Sequence, residues 1–231
     1  MEISLRLKQV ADMVHEKRIA DIGTDHGYVP IYLAENKKID SAIACDINKG
    51  PLEKAEKNVR MNGLEKIIET RLGSGLEPLK KGETDCVVIG GMGGMLIIDI
   101  LKKRPEITSE LKQLVLQPQL DVNEVRKYIH SIGFKIENEN FVLDSGKYYT
   151  IISAVKGSEK YNNDADYEFG KINIEKKNVV LKEFIEKKIK TNKTILENIE
   201  KNGKSGNEEK IAQIERENEI CKEVLNRYEN E

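Results

Sequence analysis

Arg18-Ile19-Ala20-Asp21-Ile22-Gly23-Thr24-Asp25-His26-Gly27-Tyr28 is the stretch that decides the fold of this chain. Arg18 to Ile22 reads as a short apolar strand that stops at a glycine. Tyr28 to Asn36 reads as a helix, with Pro30 tolerated in its first turn because the N–H it lacks has no partner there. Between strand and helix the chain turns back sharply, and Gly23 and Gly27 leave bare backbone that a ligand can approach. The pattern is D-x-G-x-x-x-G rather than G-x-G-x-x-G. A pyrophosphate is held by backbone N–H groups at a helix start. Asp21 and Asp25 would repel that anion, and they suit a ligand that carries positive charge.

The same rhythm continues on both sides. Upstream, Leu5, Leu7, Val10, Met13 and Val14 have roughly helical spacing. Downstream, strands are expected at Ser41–Asp46, Ile67–Leu72, Asp85–Gly90 and Gln113–Gln117, the last stopped by Pro118. Helices are expected at Pro51–Asn62, Met95–Lys103 and Val122–Ile132, with Gly63 and Gly133 just past two of their ends. Short continuous apolar strands alternating with helices imply a parallel sheet covered on both faces. Then the pattern changes: Lys135–Leu143, a turn at Asp144-Ser145-Gly146, and Lys147–Val155 read as a hairpin without an intervening helix. The expected fold class is α/β over residues 1–156. It is a Rossmann-like methyltransferase sheet of seven mostly parallel strands with an antiparallel last strand, an order that dinucleotide dehydrogenases lack.

Residues 157–231 differ in kind, being charged and of helical period. Leu181, Ile185, Ile189, Leu196 and Ile199 form one apolar series, and Ile211, Ile214, Asn218, Cys221, Leu225 and Tyr228 a second with heptad spacing. Joined by Gly203-Lys-Ser-Gly206, they are expected to fold back as a coiled-coil hairpin. Asn218 falls on the apolar seam, where a polar residue sets register.

Composition narrows the classes. The 231 residues carry 38 basic and 40 acidic side chains, a net charge of −2, so bulk charge neither requires nor excludes a nucleic-acid partner. No apolar run reaches the ~18 residues of a membrane span, and the N-terminus lacks the features of a signal peptide. Cys45, Cys86 and Cys221 are too far apart for a zinc site or a disulfide framework. The expectation is a cytoplasmic monomer with no metal and no membrane association.

Further chemistry lies at the strand ends. Asp46 closes the second strand, where an acid accepts both hydroxyls of an adenosine ribose or caps the next helix. Gly73-Ser74-Gly75 follows the third strand and reads as an adenine-facing loop or a plain turn. Ile89-Gly90-Gly91-Met92-Gly93-Gly94 follows the fourth strand. Four glycines there are costly in backbone entropy, at the sheet edge where ligands bind. No Lys-Ser/Thr follows, so this is not a P-loop. Nor is there the Asn/Asp-Pro-Pro-Tyr/Phe tetrapeptide of enzymes that methylate exocyclic amino groups. Gln117-Pro118-Gln119, Lys147 and Tyr149 flank the same edge, and Tyr149 could stack on a base or be a half-buried strand residue. His26 is the one histidine placed at the site; His15 and His130 read as solvated.

Ser4-x-Arg6-Leu7, Ala20-Asp-Ile-Gly-Thr-Asp-His-Gly-Tyr28, Gly90-Gly-Met-Gly-Gly94, Leu116-Gln-Pro118 and Gly146-Lys-x-Tyr149 together make the chain resemble the bacterial tRNA (adenine(22)-N1)-methyltransferase family. The charged helical tail is similar in kind and position. Gln119, Thr150 and Ser74 depart from the family pattern, which has Asn, Glu and often Asp there. The resemblance implies methyl transfer from S-adenosyl-L-methionine to N1 of an adenine in the D-arm region of tRNA. It implies cofactor contacts from Asp21, Gly23, Asp25, His26, Gly27, Asp46, Ile47, Gly73, Ser74, Gly75, Gly90 and Gly91. Catalytic roles fall to Asp25, His26, Gly91 and Met92, and substrate contacts to Arg6, Tyr28, Gln117, Pro118 and Tyr149. Phosphates would meet Arg6, Lys102-Lys103-Arg104 and tail residues such as Lys187, Lys188 and Lys190, although most of these read equally as solvated side chains. Two other readings stay open on the residues alone: a methyltransferase of this fold acting on a small molecule or protein, and a non-catalytic module that binds adenosine-type ligands.

Overall fold

The structure, a computed structural model, describes residues 2–202 and 206–229. The chain forms two compact units, Met1–Lys160 and Tyr161–Glu231, against an expected boundary after Lys156. In the first unit the elements run α1 (Leu5–Met13), β1 (Arg18–Ile22), α2 (Tyr28–Glu35), β2 (Ser41–Asp46), α3 (Lys49–Met61), β3 (Ile68–Leu72), β4 (Cys86–Met92), α4 (Gly94–Lys103), α5 (Pro105–Thr108), β5 (Gln113–Pro118), α6 (Val122–Ser131), β6 (Phe134–Asp144) and β7 (Lys147–Lys156). Every expected strand and helix of this unit is present. The short α5, opened by Pro105, was not anticipated, since four residues carry no periodicity to read. Helix α3 starts ahead of Pro51 because Asn48 in extended conformation serves as its N-cap.

The sheet order is β3-β2-β1-β4-β5-β7-β6. β1, β2, β3, β4 and β5 pair in parallel, and β7 is inserted antiparallel between β5 and β6. The Rossmann-like sheet with its antiparallel last strand is therefore as expected. Ile19, Ala20, Cys86, Val87, Ile89, Leu114, Val115 and Leu116 are fully buried, as a strand covered on both faces requires. Edge strand β6 instead alternates buried and exposed positions over its first residues.

Two polar features were not legible beforehand. Arg126 of α6 and Glu139 of β6 are both 0% exposed, with Arg126 Nε donating to Glu139 Oε1 over 2.7 Å. His130, expected to be solvated, has a side chain only 4% exposed with Nε2 3.4 Å from Glu159. Burial lowers its pKa from the usual histidine value. His15 is half exposed, and its Nε2 lies 2.8 Å from Glu137.

In the second unit a single π-helical turn (Asp166–Gly170) leads into α7 (Lys171–Glu175), then α8 (Val179–Asn202) and α9 (Glu208–Glu229). Leu181, Ile185, Ile214, Cys221 and Val224 are buried between helices. Asn192 Nδ2 donates to Asn218 Oδ1 over 3.0 Å, so the seam asparagine has a polar partner on the other helix. Of the expected glycine loop, Gly203, Lys204 and Ser205 lie outside the described residues. Among the described residues no helix is long and apolar enough to cross a membrane.

Candidate functional site

β1 and β4 are neighbours in register, Ile22 opposite Ile89. The glycine loop after β1 and the glycine segment that ends β4 therefore lie at the same carboxyl end of the sheet, and both line one cavity of about 380 Å³. From the first loop come Asp21, Gly23, Thr24, Asp25 and His26; from the second come Gly90 and Gly91; Arg6, Tyr28 and Gln119 complete the polar wall.

Local chemistry shapes the first loop. Gly23 and Thr24 donate their backbone N–H groups to the carbonyl of Cys45, at 2.8 and 2.9 Å, which pins the loop to the end of β2. Gly23 has φ +74°, a conformation glycine adopts freely. Asp25 has φ +49°, in the left-handed region that a non-glycine residue occupies at some cost, and such residues concentrate at functional sites. Asn58 Nδ2 donates to the His26 carbonyl over 2.9 Å. The His26 and Tyr28 rings stack with centroids 5.0 Å apart and planes 4° from parallel.

The acids differ sharply. Asp21 is buried and accepts a 2.6 Å bond from the Thr24 hydroxyl. Burial pushes its pKa up to about 6, against the pull of that bond, and the nearby Asp46 adds to the rise. The Asp25 side chain is 65% exposed, with His26 Nε2 3.6 Å from its carboxylate. Asp46 is buried; it accepts from the Asn48 N–H at 2.8 Å and from the Asp25 N–H at 3.4 Å. It thus ties β2 to the first loop. Gly73 donates to the Asp46 carbonyl, which places Gly73-Ser74-Gly75 beside that acid. Ile47 is largely exposed.

The second loop contains a bulge. Gly90 lies opposite Gln117 and Met92 opposite Pro118, leaving Gly91 as an extra residue at φ +77°. Gln117 and Pro118, expected as substrate contacts, are buried in β5, and the cavity wall at that point is Gln119. The Gln117 side-chain oxygen accepts from the Gly91 N–H at 3.1 Å and from Arg6 Nη1 at 2.7 Å. Arg6, expected as a substrate and phosphate contact, lines the cavity, with its guanidinium 5.3 Å from the centre of the Tyr149 ring. Its backbone N–H donates to Asp144 and holds that carboxyl below the usual carboxylate range.

Four of the other basic residues considered for phosphates are engaged locally. Lys103 pairs with Asp99, Arg104 with Glu106 and Lys188 with Glu217, while Lys102 lies over the Tyr128 ring. Thr24 and Asp144 were missed as site residues, while Gln119, placed at this edge from the sequence, does line the cavity. Thr24 sat inside the quoted motif, but its bond to Asp21 needs the folded turn. Asp144 carried only a turn signal.

The cavity suits a ligand with cationic groups and an adenosine. It has a buried acid and an exposed acid on one wall and bare glycine backbone on two sides, where a nucleotide pyrophosphate would meet repulsion. Fold and site together define a Rossmann-like methyltransferase. A family model described as a methyltransferase domain matches residues 3–152. The tRNA (adenine(22)-N(1))-methyltransferase of Bacillus subtilis is 31% identical over 236 residues, covering 97% of this chain and 98% of that protein. The chain belongs to this family of methyltransferases.

Solved structures agree along the whole length. Streptococcus pneumoniae Sp1610 in complex with S-adenosyl-L-methionine superposes with a TM-score of 0.87 at 30% identity, covering 97% of this chain and 100% of that one. M. capricolum TrmK in complex with S-adenosyl-homocysteine gives a TM-score of 0.86 at 31% identity, covering 99% and 100%.

Proposed function

We propose that this protein transfers the methyl group of S-adenosyl-L-methionine to N1 of adenine 22 in the D-arm region of tRNA. The observation that carries the reading is the convergence of both glycine segments with Arg6 and Tyr28 on one cavity, in a chain that matches a tRNA (adenine(22)-N(1))-methyltransferase over 97% of its length.

S-adenosyl-L-methionine supplies an electrophilic methyl group on a sulfonium. Asp21, Asp46 and the backbone at Gly23, Gly27, Gly90 and Gly91 are the groups to hold it, with Ile47 and Gly73-Ser74-Gly75 flanking its adenosine side. Adenine N1 has an in-plane lone pair and needs no proton removed before it reacts, so the protein works chiefly by positioning. Positive charge arrives on the base as the methyl group transfers. Asp25, exposed until a nucleotide covers it, is placed to stabilise that charge. His26 beside it is the candidate to take a proton from the product's amino group. Tyr28 and Tyr149 offer ring faces to a base taken out of its helix. Gly91 and Met92 shape the wall against which the base is pressed.

The protein is read as a monomer, and a tRNA substrate supports a cytoplasmic enzyme. The helical unit that follows the methyltransferase domain is read as an added tRNA-facing element. The test is mass spectrometry of nucleosides from unmodified tRNA incubated with the protein and S-adenosyl-L-methionine. N1-methyladenosine that disappears when adenine 22 is replaced is the expected result. N6-methyladenosine, or no methyladenosine, overturns the proposal.

A further inference from the structure

We infer that Gln117 is a positioning residue for the proposed reaction: its one side-chain oxygen fixes Arg6 at the cavity wall and the Gly91 amide in the bulge together, so that Arg6 meets the phosphate of the target nucleotide in a set orientation. This rests on the tRNA reading above.

The bulge creates the need. Gly91 falls between the ladder partners Gly90–Gln117 and Met92–Pro118, so its N–H has no place in the β4–β5 ladder. Gln117 is 0% exposed, and its oxygen takes that N–H at 3.1 Å. The same oxygen takes Arg6 Nη1 at 2.7 Å, across 111 residues of sequence. Arg6 is held from two further directions, by Asp144 on its backbone N–H at 3.0 Å and by the Tyr149 ring at 5.3 Å. Gln117 and Tyr149, from two segments distant in sequence, thus meet at one guanidinium beside the Gly91 bulge.

The residue type at 117 matters. A glutamine accepts the hydrogen bond without neutralising Arg6, whereas a carboxylate would form an ion pair and cancel its charge. The guanidinium spends one of its five donors on Gln117. A fixed, planar cation of that kind matches a phosphate in charge and geometry. It suits the base less well, because the base itself becomes cationic on methylation and the two charges would repel. The structure therefore assigns Arg6 to the phosphate and Gln117 to the orientation of Arg6.

The test uses full-length Q117M, Q117E, R6Q and the R6Q/Q117M double variant. For each, tRNA methylation kinetics are measured at several salt concentrations, with cofactor affinity by calorimetry and thermal melting as controls. Q117M is expected to raise KM for tRNA by about tenfold, within the loss that a misplaced contact group can cause, and by more than it weakens cofactor binding. Q117E, which keeps an oxygen for the Gly91 N–H but cancels the Arg6 charge, is expected to preserve thermal stability yet raise KM for tRNA as Q117M does. R6Q is expected to lower the salt slope of tRNA binding by about one, as loss of one phosphate contact does. The double variant is expected to be no worse than R6Q alone.

Q117M or R6Q with unchanged KM for tRNA overturns the inference, as do losses that multiply in the double variant. If Q117M fails to melt cooperatively, Q117E decides, because it keeps an acceptor for the Gly91 N–H, and an unchanged KM for tRNA in Q117E overturns the inference. If the unaltered protein methylates no tRNA, the reaction itself falls, a result distinct from an active protein indifferent to Q117M.

Discussion

The bare α-carbon of Gly23 is covered by the Met92 side chain: a Cβ at position 23 would overlap Met92 Cε. The loop after β1 therefore touches the carboxyl end of β4, where the proposed reaction would bring methyl donor and acceptor together. Gly23→Ala is expected to cost about 1–2 kcal/mol for a non-glycine residue at φ +74°, and to push Met92 aside. Thermal melting measures the first effect and kcat/KM the second. Activity should fall further than stability does, and Gly23→Ala with Met92→Ala should return part of the activity without returning the stability. Equal activity in the two variants would show that the overlap has no bearing on the reaction.

Asp46 carries two backbone N–H groups, from Asn48 and Asp25, on a buried carboxylate. Replacing it with alanine removes the bonds to Asn48 and Asp25 and, on the proposed reading, the charge-assisted hydrogen bonds to a ribose. Cofactor binding is expected to weaken by about 2–3 kcal/mol, read by calorimetry. An unchanged dissociation constant would remove Asp46 from the cofactor site.

The acid at Asp21 makes a pH prediction whose sign is fixed. Its pKa is raised from 3.8 to about 6 in the folded protein, so between those values the native state holds a proton that the unfolded chain has released. Its stabilising contribution is complete below the unfolded pKa and is lost as pH rises through about 6. A cationic ligand favours the ionised form, so cofactor affinity should rise over the same interval. Calorimetry from pH 5 to 7 should show that rise in the natural protein and its loss in Asp21→Asn. A flat profile in the natural protein would contradict the placement of Asp21 at the ligand.

Arg126 and Glu139 form a completely buried ion pair. Arg126→Met alone is expected to destabilise by about 3–5 kcal/mol, because it strands a buried carboxylate. Arg126→Met with Glu139→Leu should recover most of that loss, since apolar replacement of both partners is often close to neutral. Denaturant melts of the three proteins test this, and equal instability of single and double variants would refute it.

The parts of the molecule that local pattern controls were legible in the chain. Short apolar strands, turn glycines and helix periods specified the α/β class, the hairpin insertion and the two loops, because neighbouring residues determine those features. Asn218 could be placed on a seam by heptad spacing alone, but its partner Asn192 could not. The extension of β4 past Gly90 to Met92 also escaped, since a bulge exists only relative to the strand it pairs with. His130 looked solvated because its immediate neighbours are polar, yet the packing around it leaves little of its ring exposed. Arg6 and Gln117, or Asp25 and Asp46, carry no mark of each other in sequence. Parallel strand order and register bring them together, and those depend on how crossovers stack the whole sheet rather than on any stretch within it.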